Sequence, residues 1–373
     1  MSPSERLLCG PGPSNVDPAA LEAMRKPMLG HLDPEMHEIL LEVVDMLRRV
    51  WHAEGGLVLP LQATGTSGME AGLANLVEPG ETVIVASSGY FGTRMAEIAR
   101  RCGARVVEVS ADWGEHVANE RLMAVLDDNP DARLLAVVHG ETSTGCEHPL
   151  AALGAAMRGR DTLLMADCVT TLGGVEVDFD GWGLDYAYSC TQKCLASPPG
   201  MSPIAVSDRA LERIRGRRLP VPFTQDLFLL RDYWIERPAT YHHTAPILHI
   251  YALHEVLRRA LDEGLERRWA RHTEAGTYFQ QLACHAGFEL LAEPAHQLAP
   301  LSAVRVPDGI DGKAVQLQLL ADGIEVGGGL GPDAPAIWRV GLMGPNARTE
   351  TADRVFEALA AAVESQAAVP VAG

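Results

Sequence analysis

The chain has 373 residues, 47% of them hydrophobic and 21% charged, and carries a formal net charge of −18. Single cores stop growing near ~250–300 residues, so two cores are expected. The acidic balance excludes nucleic acid or an anionic membrane as a partner, because a polyanion requires a basic footprint, and no apolar run approaches the ~18 residues of a membrane span.

The N-terminus, MSPSERLLCGPGPS, lacks the basic start and apolar segment of a secretory signal. Seven cysteines scattered from Cys9 to Cys284 make neither a disulfide framework nor a zinc site, so reduced thiols in a cytoplasmic protein are expected. From about residue 83 to 207, short apolar runs alternate with amphipathic stretches: TVIVASS, FGTRMAEIARRCG, RVVEVS, a helix near 118–128, RLLAVVH, a helix near 150–158, and TLLMAD. That alternation predicts βα units and an α/β fold with a mostly parallel sheet. DYAYSC and SPIAVS then read as neighbouring strands, with Lys193 on the loop between them. A less regular stretch from Pro220 to Pro246 leads into helical periodicity for about 35 residues, which predicts one long helix bridging two domains. FELLAE, LSAVRV, a helical KAVQLQLLADG, IEVGGG, IWRVGLMG and a helix near 350–365 read as a compact α+β unit. The tail AAVPVAG is the one compositionally biased segment.

In an α/β sheet, ligands sit beyond the carboxyl ends of the strands. Four such segments carry chemistry: LQATGTSGME at 61–70, VVHGETSTG at 137–145, LMADCVTT at 164–171, and YSCTQK ending at Lys193. The first places Thr64, Gly65, Thr66, Ser67 and Gly68 at a helix entrance, with Ser67 and Glu70 spaced as a capping box. Free N–H groups and the positive dipole end make a phosphate cup there; the same residues also serve as a plain helix cap. No Walker lysine accompanies them, which argues against a nucleoside triphosphate.

Asp167 ends an apolar run, where a carboxylate needs a partner. Only three of the 31 basic residues are lysines, and Lys193 is one of them. A lysine does what arginine cannot when it must lose its proton and act as a nucleophile, above all in Schiff-base formation. Pyridoxal phosphate, with an aldehyde, a phosphate and a ring nitrogen, would employ Lys193, the 64–68 cup and Asp167 together. Tyr90 and Phe91 both offer a ring to stack on it. His242, His243, His249 and His254 lack HExxH spacing, so no metal site is expected. GGGLGP at 327–332 precedes a strand rather than a helix, against dinucleotide binding.

The segments GPGPSNVDP, NLVEPGE, GYFG, HGETSTG, ADCVTTLGG, TQKCLASPPGMSP, YHHTAP and WRVGLMGPNA run in order from near residue 9 to near 360. In sequence and spacing they resemble the class V aminotransferases, particularly the alanine/serine:glyoxylate group. The resemblance implies the fold type I architecture of pyridoxal-phosphate-dependent transferases, with a mostly parallel seven-stranded sheet in a large domain and a smaller C-terminal α+β domain. Placed on this chain, residues 1–20 form an arm reaching the active site and the small domain, 21–260 the large domain and 261–373 the small one. It also implies a homodimer with shared active sites.

By position, the resemblance makes Lys193 the Schiff-base lysine, Gln192 its phosphate-side neighbour and Asp167 the partner of the pyridinium nitrogen. Thr64, Gly65 and Thr66 fall on the phosphate site, Phe91 on the stacking ring and Thr142 on the hydroxyl beside the cofactor. Tyr241 and Thr244 match residues that reach the phosphate from the partner subunit. Arg339 matches the arginine that grips the substrate carboxylate, with Gly12 beside it on the substrate side. The implied reaction moves an amino group from alanine or serine to glyoxylate or pyruvate by a ping-pong route. The chain is also similar to (S)-ureidoglycine:glyoxylate aminotransferases, but that branch has Asn before HHT and Gln after the early Gly, where this sequence has Tyr241 and His31. Lyases and cysteine desulfurases share the scaffold; a desulfurase usually carries a histidine before the lysine, where Gln192 stands here. A non-enzymatic cofactor-binding protein is disfavoured because Lys193, Asp167 and Arg339 are all present.

Overall fold

A computed structural model describes residues 4–236 and 239–367, so most of the biased tail lies outside the described residues. Seven strands form the main sheet: β1 (Leu57–Gln62), β2 (Thr82–Ser87), β3 (Arg105–Ser110), β4 (Leu134–Val138), β5 (Leu163–Asp167), β6 (Tyr186–Tyr188) and β7 (Met201–Val206). Their spatial order is β1-β7-β6-β5-β4-β2-β3, and only β7 runs against its neighbours. Every residue of β2, β4 and β5 is buried. This is why they read as continuous apolar runs rather than alternating ones: helices cover both faces of a parallel sheet. Because β7 is reversed, the loop leaving β6 re-enters the sheet at the same edge where β1, β4 and β5 end. That edge is where the candidate site forms.

Two large apolar clusters are separate. One surrounds the sheet and includes Trp51, Leu59, Tyr186 and Trp234. The other gathers Cys9, Phe279, Trp338, Val355 and Leu359 around a second, antiparallel sheet. In it β10 (Ile337–Gly341) lies between β8 (Leu301–Arg305) and β9 (Gly327–Gly328). The N-terminal segment ties this unit to the first, since Leu7–Leu8 pairs with Ile324–Glu325 and Asp17 donates its N–H to the Ala196 carbonyl.

Three expectations need correction. The long helix is two helices, Ile247–Glu263 and Leu265–His285, broken at Gly264, whose φ of +85° favours glycine. The apolar period continues in phase across the break, so periodicity alone does not show it. The irregular stretch after Pro220 contains the helix Leu227–Trp234, capped by Asp226, whose carboxylate accepts from the N–H groups of Phe228 and Leu229. FELLAE makes only one bridge, Leu290 to Val304, before Pro294 turns the chain away.

Candidate active site

At the carboxyl edge of the sheet is a cavity of about 210 Å³. Gly12, Thr64, Gly65, Thr66, Phe91, Thr142, Asp167, Gln192 and Lys193 all line it. Arg339 stands beside it on β10, donating through Nη1 to the Thr142 carbonyl at 3.2 Å and through Nε to the Gly328 carbonyl at 2.6 Å. Burial pushes its pKa down to about 10, against the pull of Glu141. Tyr241 and Thr244 do not line the cavity; both are exposed, and the Tyr241 ring lies 5.5 Å from that of His31.

Lys193 sits on the β6–β7 loop, held from the N-terminal segment. Ser14 donates its N–H to the Gln192 carbonyl and its hydroxyl to the Lys193 carbonyl, both at 2.9 Å. The lysine ammonium donates to the Pro11 carbonyl. Gly12, with φ of +108°, lets the segment pass over the side chain: a Cβ there would stand 2.6 Å from Lys193 Cδ and 2.7 Å from Nζ. Burial holds the Lys193 pKa below the ordinary lysine value, and the Arg339 charge adds to that shift, while Cys190, Cys194 and Asp167 oppose it. The flanking thiols are themselves buried and pushed up to about 12, so they stay protonated.

Asp167, the last residue of β5, accepts from the Tyr188 hydroxyl at 2.5 Å and from the Val169 N–H at 2.8 Å. Burial nevertheless raises its pKa to about 6, the two hydrogen bonds opposing the shift. Among the described residues it makes no direct ion pair, and the Lys193 charge only weakly opposes the rise.

Sequence reasoning left Glu141 and Tyr188 without roles. Glu141 is buried and accepts four hydrogen bonds: from the N–H groups of Phe91 and Gly92 at 3.0 and 3.2 Å, and from the N–H and hydroxyl of Ser143 at 3.0 and 2.6 Å. Ser143 Oγ in turn accepts from the Tyr90 N–H. Together they cap the helix Tyr90–Arg101 and so fix Phe91 at the cavity wall, while Thr142 between them holds Arg339. Within HGETSTG Glu141 reads as a polar turn residue, and its burial emerges only in the fold. Glu141→Ala should strand those donors and destabilise the fold by about 2–4 kcal/mol in urea titrations; an unchanged midpoint would remove Glu141 from this role.

The capping arrangement at 64–70 differs from the predicted one. Thr64, not Ser67, is the cap: its Oγ1 accepts from the Ser67 N–H at 3.1 Å, and Glu70 is directed to Gln225. The shift leaves the first-turn N–H groups of Gly65 and Thr66, both residues that line the cavity, without an intrahelical acceptor. Gly65 has no room for a side chain, since a Cβ would meet Val169 Cγ2 at 2.9 Å. Gln192 Oε1 is buried at the cavity without a hydrogen-bond partner. An orphaned polar atom, free helix donors, a buried unpaired carboxylate and a lysine of lowered pKa fit pyridoxal phosphate.

The aminotransferase class-V pattern matches residues 18–344. The chain belongs to the class V aminotransferases. As a member it is a pyridoxal-phosphate-dependent enzyme. This aminotransferase is 37% identical to the alanine–glyoxylate aminotransferase of Rattus norvegicus over 98% of this chain and 89% of that protein. It is 37% identical to the (S)-ureidoglycine–glyoxylate transaminase of Bacillus subtilis, over 92% of this chain and 87% of the other. The crystal structure of an alanine–glyoxylate aminotransferase from Nostoc sp. superposes with a TM-score of 0.94 at 45% identity, covering 97% of this chain and 96% of that one.

Proposed function

We propose that this aminotransferase moves the amino group of a small amino acid, alanine or serine, to glyoxylate or pyruvate in two half-reactions at one cavity. The observation that carries the reading is that Lys193, Asp167 and Gln192 line a single cavity, with Arg339 held at its wall through Thr142. Relatives named for glyoxylate supply the acceptor class.

Pyridoxal phosphate, when bound, supplies an aldehyde that condenses with amines and a ring that takes up the electrons of a Cα carbanion. The Gly65 and Thr66 N–H groups and Gln192 would hold its phosphate, Phe91 would cover the ring face, and Thr142 would lie beside it. Asp167 would keep a proton on the ring nitrogen, its own charge stabilised by Tyr188. The Arg339 fork takes the substrate carboxylate bidentately, orienting the Cα hydrogen toward Lys193. Burial favours the neutral amine at Lys193 Nζ, which removes that proton and later returns it.

We further propose a cytoplasmic homodimer whose sites are completed across the interface. The exposed positions of Tyr241 and Thr244, outside their own cavity, support contribution to a second copy. The seven unpaired cysteines support a reducing compartment. The two separate apolar clusters support division into the 1–20 arm, a 21–260 large domain and a 261–373 small domain.

The similarity to a ureidoglycine enzyme favours a second reading, and His31 and Tyr241, in ring contact, occupy the two positions where the chain departs from that branch. A donor panel separates them. With glyoxylate as acceptor, alanine or serine should yield glycine with kcat/KM at least about tenfold above ureidoglycine, a preference of about 1.4 kcal/mol. The reverse order would establish the second reading, and no glycine from any donor would defeat both.

A further inference from the structure

A second cleft, of about 520 Å³, opens where the N-terminal segment, the two helices around Gly264 and the turn at Gly344 meet. Five arginines line it: Arg258, Arg259, Arg268, Arg271 and Arg348. In a chain of net charge −18 this is a local reversal of sign. Arg258 is held by Glu255 at 2.7 Å and by Asp262 at 2.6 Å. Arg268 and Arg271, by contrast, share one lining carboxylate, Glu263, at 2.9 and 2.7 Å.

Two of the guanidiniums have donors to spare. Arg259 reaches Asp17 through Nε alone, at 3.1 Å, leaving its Nη pair unengaged among the described residues. Arg348 is exposed and makes no side-chain hydrogen bond or ion pair with them. A planar fork with unengaged N–H groups suits an oxyanion with two or three oxygens, and the cleft is as large as ordinary small-molecule sites. Its wall is also continuous with the lysine loop: Ala196 lines it, and Arg268 donates to the Cys194 carbonyl at 2.6 Å and the Gly173 carbonyl at 3.0 Å.

We propose that this cleft binds a small dianion, a dicarboxylate or a phosphate monoester, held by Arg259 and Arg348 against the excess charge of Arg268 and Arg271. The site is separate from the Lys193 cavity, and none of these residues lines that cavity. Calorimetric titration of the holoenzyme at constant ionic strength with inorganic phosphate, succinate and acetate tests it. One saturable site per chain is expected for at least one dianion, with none for acetate. The tighter of phosphate and succinate identifies the chemical source. Arg348→Ala and Arg259→Ala should each weaken that binding at least about tenfold, the effect of losing one charged hydrogen bond, while amino transfer without added dianion stays unchanged. No saturable heat with either dianion overturns the proposal. So does heat that survives both substitutions but disappears in Arg339→Lys, which would place the anion in the catalytic cavity.

Discussion

Replacing Lys193 with alanine is expected to lower amino-transfer turnover by at least about 10³-fold, the scale set by losing both a nucleophile and a positioned base. Lys193→Arg should fall as far, although it keeps a cation on the same loop, because arginine does not give up its proton. The contrast separates chemistry from packing. If the loop needed only a positive charge to bond the Pro11 carbonyl, arginine would restore it and activity with it. Added small primary amines should partly restore the alanine variant, since the lysine stem fills the space beneath Gly12 and its removal leaves that space open. Near-parental turnover in Lys193→Arg would remove the lysine from the reaction.

Most of this arrangement is legible in the sequence because the strands of the main sheet are covered on both faces. TVIVAS, LLAVV and LLMAD carry polar residues only at their ends, and the residues following them fall on one edge by topology. Asp167 stands out as a charge that ends an apolar run, and Lys193 as one of only three lysines among 31 basic residues. Glu141 does not stand out. Its meaning depends on the N–H groups of Phe91 and Gly92, about 50 positions earlier in the chain, and within HGETSTG it reads as one more polar turn residue. Tyr188 is hidden in the opposite way, as an aromatic in a buried strand whose hydroxyl finds Asp167 only once β5 and β6 pair. The helix break at Gly264 is concealed because both helices turn the same apolar face inward. The arginine cleft draws on Asp17, residues 258–271 and Arg348, segments that no local pattern joins.

Asp167→Asn is the second substitution with a large expected effect, on the order of a 10²–10³-fold loss of turnover, comparable to removing one preorganised electrostatic partner of a transition state. Asparagine keeps the shape and can still accept from Tyr188, but it carries no charge to hold a proton on a ring nitrogen. A stability measurement tests the same group without relying on activity. Burial raises the Asp167 pKa from 3.8 to about 6, so the folded, cofactor-free protein binds this proton more tightly than the unfolded chain does. Its contribution is therefore favourable below the unfolded value and is lost as pH rises through about 6. Between pH ~4 and ~6 the cofactor-free protein should lose stability on the order of 3 kcal/mol from this carboxyl alone. Urea titrations of cofactor-free Asp167→Asn should show that loss removed. Cofactor should offset it in the parent, because a cation beside the carboxylate returns its pKa toward the ordinary range. The stabilisation by cofactor should thus grow as pH rises from ~4 to ~6 in the parent, level off above that, and stay flat in Asp167→Asn. Equal growth in both would mean that the carboxylate facing the cofactor is not Asp167.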